Sequence, residues 1–422
     1  MKRFVLKFIS TLTALAICSG AVFFCCGFSI RLPRGVFVNG VEVGGLTRTA
    51  AKALLRRGVE AELRTKRLHI CADERIFTYA FPEIDYADTF DELLPEITRG
   101  GEYSAPVTYR LNGKDEIIDG ICASLYRAPV EPYAVFNAEG EPFTYFCGSD
   151  GLECDRERLS DDIDKSLEGG FEQVRICTRV VKRRQTAADV EARTRKLFSF
   201  TTYFDADNTD RSGNIRLAAG KINGSVVESG GVFSFNGTVG ARSEANGFKP
   251  AKIIEDGKFV LGYGGGVCQV STTLYNAALL SGLEIVEYHP HSLQVSYVAP
   301  SRDAMVSGSY FDLKFRNNRL TPIYVRLNCG LGSITCTIFG ESDGYKYSLK
   351  SKVTGVVPRP QTVVVEGDED KILTYGRDGT ESEGYLVRSG NGGETCTLIR
   401  KDKYRAVADV VQKCAENSEL TN

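Results

Sequence analysis

A glycine-rich run, Gly264 to Val267, leads directly into Cys268. The apolar residues that follow recur at helical spacing as far as Gly282, which is placed to end a helix. This pattern predicts that Cys268 lies at or just before a helix N-terminus. Unpaired amides at such a position stabilise a thiolate, which is the nucleophilic form of cysteine. The backbone amides of Gly264, Gly265, Gly266 and Val267 would also suit an oxyanion formed when the thiolate attacks a carbonyl.

A thiolate nucleophile needs a base or an ion-pair partner. This part of the chain has two histidines, in the run His289-Pro290-His291. His291 is the first choice because it directly precedes a strand-like segment, whereas His289 precedes proline and is expected in an extended connector. Both histidines remain candidates.

Four further residues are weaker candidates around this centre. Asp303 would orient the histidine and Arg302 would hold a substrate carboxylate, although an Arg-Asp pair is more often a surface or turn-stabilising ion pair. Ser271 and Thr272, on the predicted helix, are candidates for orienting or substrate-binding roles. The alternative reading of Cys268 is a small buried residue with a structural role.

The cysteine pattern argues against a metal centre. The chain has thirteen cysteines and three histidines, and no two cysteines form a CxxC pair, so we predict no metal site and no cofactor. Cys147 with Cys154, and Cys329 with Cys336, are close enough in sequence for disulfides across short turns. A reducing environment would leave them as thiols.

Composition and the N-terminus bear on the location of the protein. The formal net charge of -2 gives no general attraction to nucleic acid, so no nucleic-acid partner is expected. From Phe8 to Ile30 no side chain other than the cysteine thiols is ionisable, and the stretch is long enough to span a bilayer. We therefore expect a single-pass signal anchor in the cell membrane, with most of the chain on the extracytoplasmic face.

Two segments between the anchor and the cysteine region share one pattern. In each copy an aromatic-Thr-Tyr strand precedes a helix that stops at Gly-Gly, and an alternating strand follows. The second helix has Leu159, Ile163 and Leu167 on one face. We predict a multidomain α+β fold with an N-terminal transmembrane helix, duplicated α+β modules, a mixed α+β domain containing Cys268 and a small C-terminal β module. The predicted parts are residues 1–34 (cytoplasmic tip and anchor), 35–125 and 126–195 (the two modules, the second with a linker), 196–342 and 343–422.

Several motifs together resemble the VanW domain, over about Phe198 to Gly340. They are FSFN at 233–236, GAR at 240–242, GGGVCQVSTTLYNAALL at 264–280, HPHS at 289–292 and DLKF at 312–315 with Asn317-Asn318. The resemblance implies L,D-transpeptidase activity in the cell wall with Cys268 as nucleophile. Tyr288 and Ser301 depart from the arginine and glycine common in relatives, which puts a charge contact at position 288 in doubt. The upstream modules resemble peptidoglycan-binding modules, and the C-terminal segment resembles a G5 module.

The expected function is that of a cysteine acyltransferase that forms 3-3 crosslinks between stem peptides. Peptidoglycan stem peptides and glycan are the expected partners, together with the membrane through the N-terminal helix. Two alternatives stay open: a cysteine peptidase acting on the same stems, and a non-catalytic wall-binding or scaffolding protein associated with glycopeptide resistance.

Overall fold

The computed structural model describes residues 30–255, 258–308 and 310–414. Its helices are α1 (Arg48–Leu63), α2 (Phe90–Glu96), α3 (Lys114–Leu125), α4 (Arg156–Glu168), α5 (Ala187–Arg193), α6 (Thr209–Ile222), α7 (Phe235–Val239) and α8 (Val267–Leu280), with a 3-10 turn at Glu244–Asn246.

The strands fall into a first group before α6 and a second group after it. The first group is β1 (Val36–Val38), β2 (Val41–Glu42), β3 (Leu68–Ala72), β4 (Arg75–Tyr79), β5 (Ile84–Asp88), β6 (Gly101–Tyr103), β7 (Val107–Leu111), β8 (Tyr133–Phe136), β9 (Phe143–Phe146), β10 (Gly151–Cys154), β11 (Val174–Arg175), β12 (Thr178–Val181) and β13 (Arg195–Tyr203). The second group is β14 (Ser225–Val227), β15 (Val232–Ser234), β16 (Pro250–Glu255), β17 (Lys258–Tyr263), β18 (Glu284–Glu287), β19 (Lys314–Arg316), β20 (Ile323–Cys329), β21 (Ser333–Gly340), β22 (Lys346–Val357), β23 (Val363–Gly367), β24 (Lys371–Thr374), β25 (Gly379–Gly390), β26 (Gly393–Tyr404) and β27 (Val410–Cys414).

The predicted α+β fold class is wrong. The structure is mostly β, with 40% of the described residues in strands and 24% in helices, because the C-terminal part forms long strands such as β22, β25 and β26, each of 12 residues. In the described ranges no helix is long and apolar enough to cross a membrane. Residues 8–29 of the predicted span lie outside the described residues.

The chain divides into two compact units, of which the first is Met1–Ala128 with Leu152–Val181. Thr47 caps α1 by accepting a hydrogen bond from the Ala50 amide, and α4 buries Leu159, Ile163 and Leu167 as their spacing predicts. Strand β11 pairs in parallel with β3, and α4 shares a core with α3. Residues of both predicted modules thus enter one core, and the duplication itself stays a prediction.

The second unit, Pro129–Gly151 with Lys182–Asn422, contains the cysteine region. Its central sheet has the order β13-β21-β20-β14 and is antiparallel throughout. Helix α8 packs against β13 and β21 of this sheet and against α6. It ends at Leu280, close to the predicted stop at Gly282. The φ of +71° at Gly282 lets the Leu283 amide donate a hydrogen bond of 3.0 Å to the Ala278 carbonyl.

The C-terminal strands of the second unit form two further sheets, β22-β25-β26 and β23-β27-β24. Tyr404, at the end of β26, is 1% exposed and donates a hydrogen bond to Asp303. The last strands therefore take part in the same packed unit as α8.

Candidate active site

The glycine run places Cys268 as the second residue of α8. Gly264 has a φ of +81° and Gly266 a φ of +104°, a left-handed region that favours glycine. All the other residues of α8 are buried, whereas Cys268 is partly exposed. Its thiol lies 3.3 Å from the Val306 carbonyl oxygen. Cys268 is therefore the one residue of α8 with partial access to solvent.

Of the two candidate histidines, His291 is the one that contacts Cys268. Its Nδ1 lies 2.7 Å from Oδ2 of Asp303, and the imidazole also shares a hydrogen bond with the Cys268 thiol. Because Asp303 occupies Nδ1, Nε2 is the nitrogen left for the sulfur. His291, Asp303 and Cys268 thus form a Cys-His-Asp arrangement of the kind that activates a nucleophile.

Asp303 is held in place by two residues of β26, Arg400 and Tyr404. Its side chain is 1% exposed, and Oδ1 accepts a hydrogen bond of 2.6 Å from the Tyr404 hydroxyl. Arg400 donates from Nη1 to the Asp303 carbonyl at 2.6 Å and from Nη2 to Oδ1 at 3.3 Å. Burial raises the pKa of Asp303, but the hydrogen bond and charge of His291, with Arg400 and Tyr404, lower it to about 2. The carboxyl group is therefore ionised.

The same contacts determine the protonation states of His291 and Cys268. Burial favours the neutral forms of His291 and Cys268, but hydrogen bonds and charges outweigh burial for each group. Hydrogen bonds and charges from Asp303 and Cys268 raise the pKa of His291 to about 9. The hydrogen bond and charge of His291, with the charge of Arg242, lower the pKa of Cys268 below its ordinary value. The favoured state is a thiolate beside an imidazolium.

The backbone of the glycine run differs in part from the predicted oxyanion site. The Gly264 amide donates to the Lys249 carbonyl at 3.2 Å, and the Val267 amide donates to the Gly264 carbonyl at 3.0 Å. Within the described ranges, the amides of Gly265, Gly266 and Cys268 have no acceptor. These three amides therefore stay the candidates for stabilising an oxyanion.

His289 and Arg302 make other contacts. The His289 ring nitrogen Nε2 lies 3.0 Å from Glu287, and the ring packs on Phe311 with centroids 4.7 Å apart. Arg302 donates to Asn276 at 3.1 Å, and its guanidinium lies 5.1 Å from the centre of the Phe200 ring. Neither side chain lines the cleft at Cys268.

Ser271 and Thr272 are buried and support the segment that carries Asp303. Ser271 Oγ donates to the Ala304 carbonyl at 2.6 Å, while Thr272 Oγ1 accepts from the Ala304 amide at 3.0 Å. Their contacts fix the residue next to Asp303. Neither side chain is among the residues that line the cleft at Cys268.

A cleft of about 1020 Å³ opens at Cys268 and His291. Its charged lining is basic with a single acidic residue: Arg211, Arg242, Lys252, Arg377, Lys403 and Arg405, against Asp205. Such a surface favours anionic groups near Cys268.

Several residues of the site escaped the sequence prediction. Arg211 precedes the cysteine by more than fifty positions, and Arg400 and Tyr404 both lie in β26, a strand that carried no motif. Hydrophobic periodicity does not report such long-range polar contacts, so no signal in the single sequence would have found them.

The cysteines away from Cys268 carry no disulfide. All ten cysteines of the described ranges are free thiols, so neither the Cys147–Cys154 nor the Cys329–Cys336 bridge forms. Cys336 is buried, and burial raises the pKa of its thiol.

The candidate site lies in a region of the chain that is similar to known proteins. Residues 210–339 match the family described as "VanW like protein", so the predicted resemblance is confirmed over that range. The chain is 43% identical over 146 residues to "Uncharacterized protein YoaR" of Bacillus subtilis (strain 168), covering 35% of this chain and 48% of that protein. It is 30% identical over 129 residues to "Vancomycin B-type resistance protein VanW" of Enterococcus faecalis (strain ATCC 700802 / V583), covering 29% and 46%.

These matches extend over part of each protein. The chain spans about half the length of the curated relatives it matches. The family match includes Cys268, His291 and Asp303 but ends before Arg400 and Tyr404. No solved structure gives a significant match.

Proposed function

We propose that this chain is a cysteine acyltransferase of the L,D-transpeptidase type acting on peptidoglycan stem peptides. The chain belongs to the VanW family through residues 210–339. Family membership suggests a cell-envelope protein associated with vancomycin resistance, the property named in the Enterococcus faecalis relative. The proposed reaction would take place on the extracytoplasmic face, where its substrate lies.

One observation carries the catalytic part of the proposal. The partly exposed Cys268 thiol shares a hydrogen bond with His291, whose other ring nitrogen lies 2.7 Å from the buried Asp303 carboxylate. A structural cysteine needs no such partners. Ordered Cys-His-Asp groups beside a cleft are what acyl transfer through a thioester requires.

The chemistry follows from the protonation states. The Cys268 thiolate attacks the carbonyl carbon of the donor amide, and the backbone amides beside it stabilise the oxyanion. The carbon–nitrogen bond then breaks, and the leaving amine takes a proton from the His291 imidazolium. An acceptor amine loses a proton to His291 and attacks the thioester, so that a new amide forms and the carbon–sulfur bond breaks. No ATP is consumed, since the energy of one amide bond is kept in the other.

The test is incubation of the purified full-length chain with tetrapeptide muropeptides, followed by mass spectrometry. Dimers with 3-3 links, absent with Cys268→Ala, are the expected products. Shortened stems without dimers would mean that water resolves the thioester and the protein is a peptidase. If neither product forms and no acyl group appears on Cys268, the catalytic proposal is wrong and a wall-binding role gains support.

A further inference from the structure

Two arginines that line the cleft at Cys268 are held by neutral amides. Arg211 donates from Nη2 to Oε1 of Gln269 at 2.8 Å, and Arg242 donates from Nη2 to Oδ1 of Asn236. Gln269 is the residue directly after Cys268, and Arg242 contributes to the lowered pKa of the thiol. Both guanidinium groups are therefore fixed beside the nucleophile.

The two amides have their orientation fixed by further hydrogen bonds. The Nε2 of Gln269, which is 1% exposed, donates to Thr202 Oγ1 at 3.0 Å and to the Tyr203 carbonyl at 2.9 Å. The Nδ2 of Asn236 donates to the Phe311 carbonyl at 2.9 Å. Since the nitrogen of each amide is engaged, the oxygen of each must face its arginine.

The glycine run makes room for both arginines. A Cβ at Gly264 would lie 2.9 Å from Cβ and Cγ of Arg242. A Cβ at Gly266 would lie 2.9 Å from Cγ of Arg211 and 3.0 Å from its carbonyl oxygen. Contacts this short are not tolerated between carbon atoms. The same glycines that start α8 thus allow an arginine to pack on each side of the turn.

The charge of this pair is only partly offset by the protein, because Cys268 and Asp205 act electrostatically on Arg211, and Cys268 and Asp312 act on Arg242. Within the described ranges, neither Arg211 nor Arg242 forms an ion pair with a carboxylate. Both are partly buried, and loss of hydration by burial lowers the pKa of each, although each stays protonated at neutral pH. A partly desolvated guanidinium with a neutral partner gains most from an incoming anion.

We propose that Arg211 and Arg242 form a carboxylate-binding pair, which selects acyl donors that carry a free carboxylate next to the amide that Cys268 attacks. In such a donor the amino acid that leaves holds the carboxylate, and a planar guanidinium binds it with two parallel hydrogen bonds. The selection of acyl donors rests on the proposed function, whereas the binding of a carboxylate near Cys268 does not. The chemical class selected is a short peptide with an unblocked C-terminus.

The first test measures anion preference at Cys268 without any peptide. The purified full-length chain is alkylated with iodoacetate or with iodoacetamide, and the rates at each cysteine are read by peptide mapping. The exposed Cys396 serves as internal reference. We expect the iodoacetate-to-iodoacetamide rate ratio at Cys268 to exceed that at Cys396 by about tenfold, the effect of one charge-assisted hydrogen bond.

Matched variants assign the preference to the two arginines. Arg211→Gln and Arg242→Gln should each lower the ratio, whereas Arg211→Lys, which keeps the charge, should retain most of it. Arg216→Gln is the control, because Arg216 lies on the same helix with an exposed side chain that contacts the Leu331 carbonyl. Equal ratios at Cys268 and Cys396, or a ratio unchanged in both glutamine variants, would overturn the inference.

The second test separates this inference from the proposed function. Acylation of Cys268 is followed by intact-protein mass spectrometry with a tetrapeptide donor and with its C-terminal amide. We expect the free acid to react about tenfold faster, with the difference lost in Arg211→Gln or Arg242→Gln. Equal rates for acid and amide would refute the carboxylate pair and leave acyl transfer standing. Absence of acylation, with the iodoacetate preference intact, would refute acyl transfer and leave the carboxylate pair standing.

Discussion

Oδ2 of Asp303 accepts two hydrogen bonds from His291, one from the backbone amide and one from Nδ1, each of 2.7 Å. The first bond fixes the loop and the second fixes the ring. Together they keep the proton on Nδ1 and present Nε2 to Cys268. The carboxylate therefore orients the histidine as well as stabilising its charged form.

Asp303→Asn tests this double role. An amide can still accept one hydrogen bond, but it removes the negative charge and no longer enforces a proton on Nδ1. We expect acylation of Cys268 to slow by about 10³–10⁴-fold, the scale for loss of an orienting carboxylate in a triad. Single-turnover mass spectrometry measures the rate, and circular dichroism checks the fold. A folded variant with near-normal acylation would show that Asp303 is structural.

Tyr404→Phe tests the contribution of the C-terminal strands to the site. The hydroxyl donates to Asp303 at 2.6 Å and accepts from the Ser301 amide at 2.8 Å, so its loss leaves two buried groups without that partner. We expect the free energy of unfolding to fall by about 1–3 kcal/mol, with slower acylation. Tyr375→Phe is the control, since Tyr375 is 78% exposed. Equal effects of the two changes on acylation would argue against a positioning role for Tyr404.

The local parts of the site were predictable from the sequence. Glycines at positive φ, an apolar helical repeat and Gly282 follow from short-range rules, and these rules placed Cys268 at the start of α8. The preference for His291 also rested on local context, the proline that follows His289. In each case the chain itself carries the information within a few residues.

The long-range parts were not predictable in the same way. Arg302 was a candidate for binding a substrate carboxylate, yet it contacts Asn276 and the Phe200 ring, and Arg211 and Arg242 line the cleft instead. Which arginine reaches a site depends on how distant strands and helices pack. The balance of strand over helix was missed for a related reason, since the 12-residue strands β22, β25 and β26 pair with one another over distances that local periodicity does not report.

The thiolate–imidazolium pair predicts a shift in the pH dependence of alkylation. Because His291 stays protonated up to a pKa of about 9 and stabilises the Cys268 thiolate, iodoacetamide should react with Cys268 at lower pH than it does with an ordinary thiol. In His291→Gln, only the Val306 hydrogen bond and the charge of Arg242 still oppose the effect of burial on the pKa of Cys268, so the reactive range should move to higher pH. His289→Gln should leave it unchanged, because His289 pairs with Glu287. Rates at each cysteine between pH 5 and 10, read by peptide mapping, check this. A profile identical in wild type and His291→Gln would contradict the pair.

Acyl transfer itself should have a bell-shaped pH dependence. The rate should rise as Cys268 ionises and fall as pH passes about 9, where His291 loses the proton that the leaving amine needs. Below the pKa of Cys268 the nucleophile is protonated, and above that of His291 the acid is gone. Single-turnover acylation with the tetrapeptide measures both limbs. A rate that keeps rising well above pH 9 would mean that His291 is not the proton donor.

Gly266→Ala separates the packing role of the glycine run from the general effect of adding a methyl group. Gly266 has a φ of +104°, and a Cβ there would lie 2.9 Å from Arg211 Cγ and 3.0 Å from Ile215 Cγ1. Strain and overpacking should together lower the free energy of unfolding by about 2–4 kcal/mol. The matched change is Gly220→Ala in the same second unit, within α6, where nothing lies within 4 Å of an added Cβ.

The two alanine substitutions should change the free energy of unfolding in opposite directions. Because Gly220 has an ordinary helical position, Gly220→Ala should raise the free energy of unfolding by about 0.4–1 kcal/mol. Chemical denaturation of both variants measures the difference. Displacement of Arg211 should also lower the iodoacetate preference of Cys268 in Gly266→Ala, which Gly220→Ala should leave unchanged. If Gly266→Ala were as stable as the wild type with its anion preference intact, the glycine would not be required for the approach of Arg211.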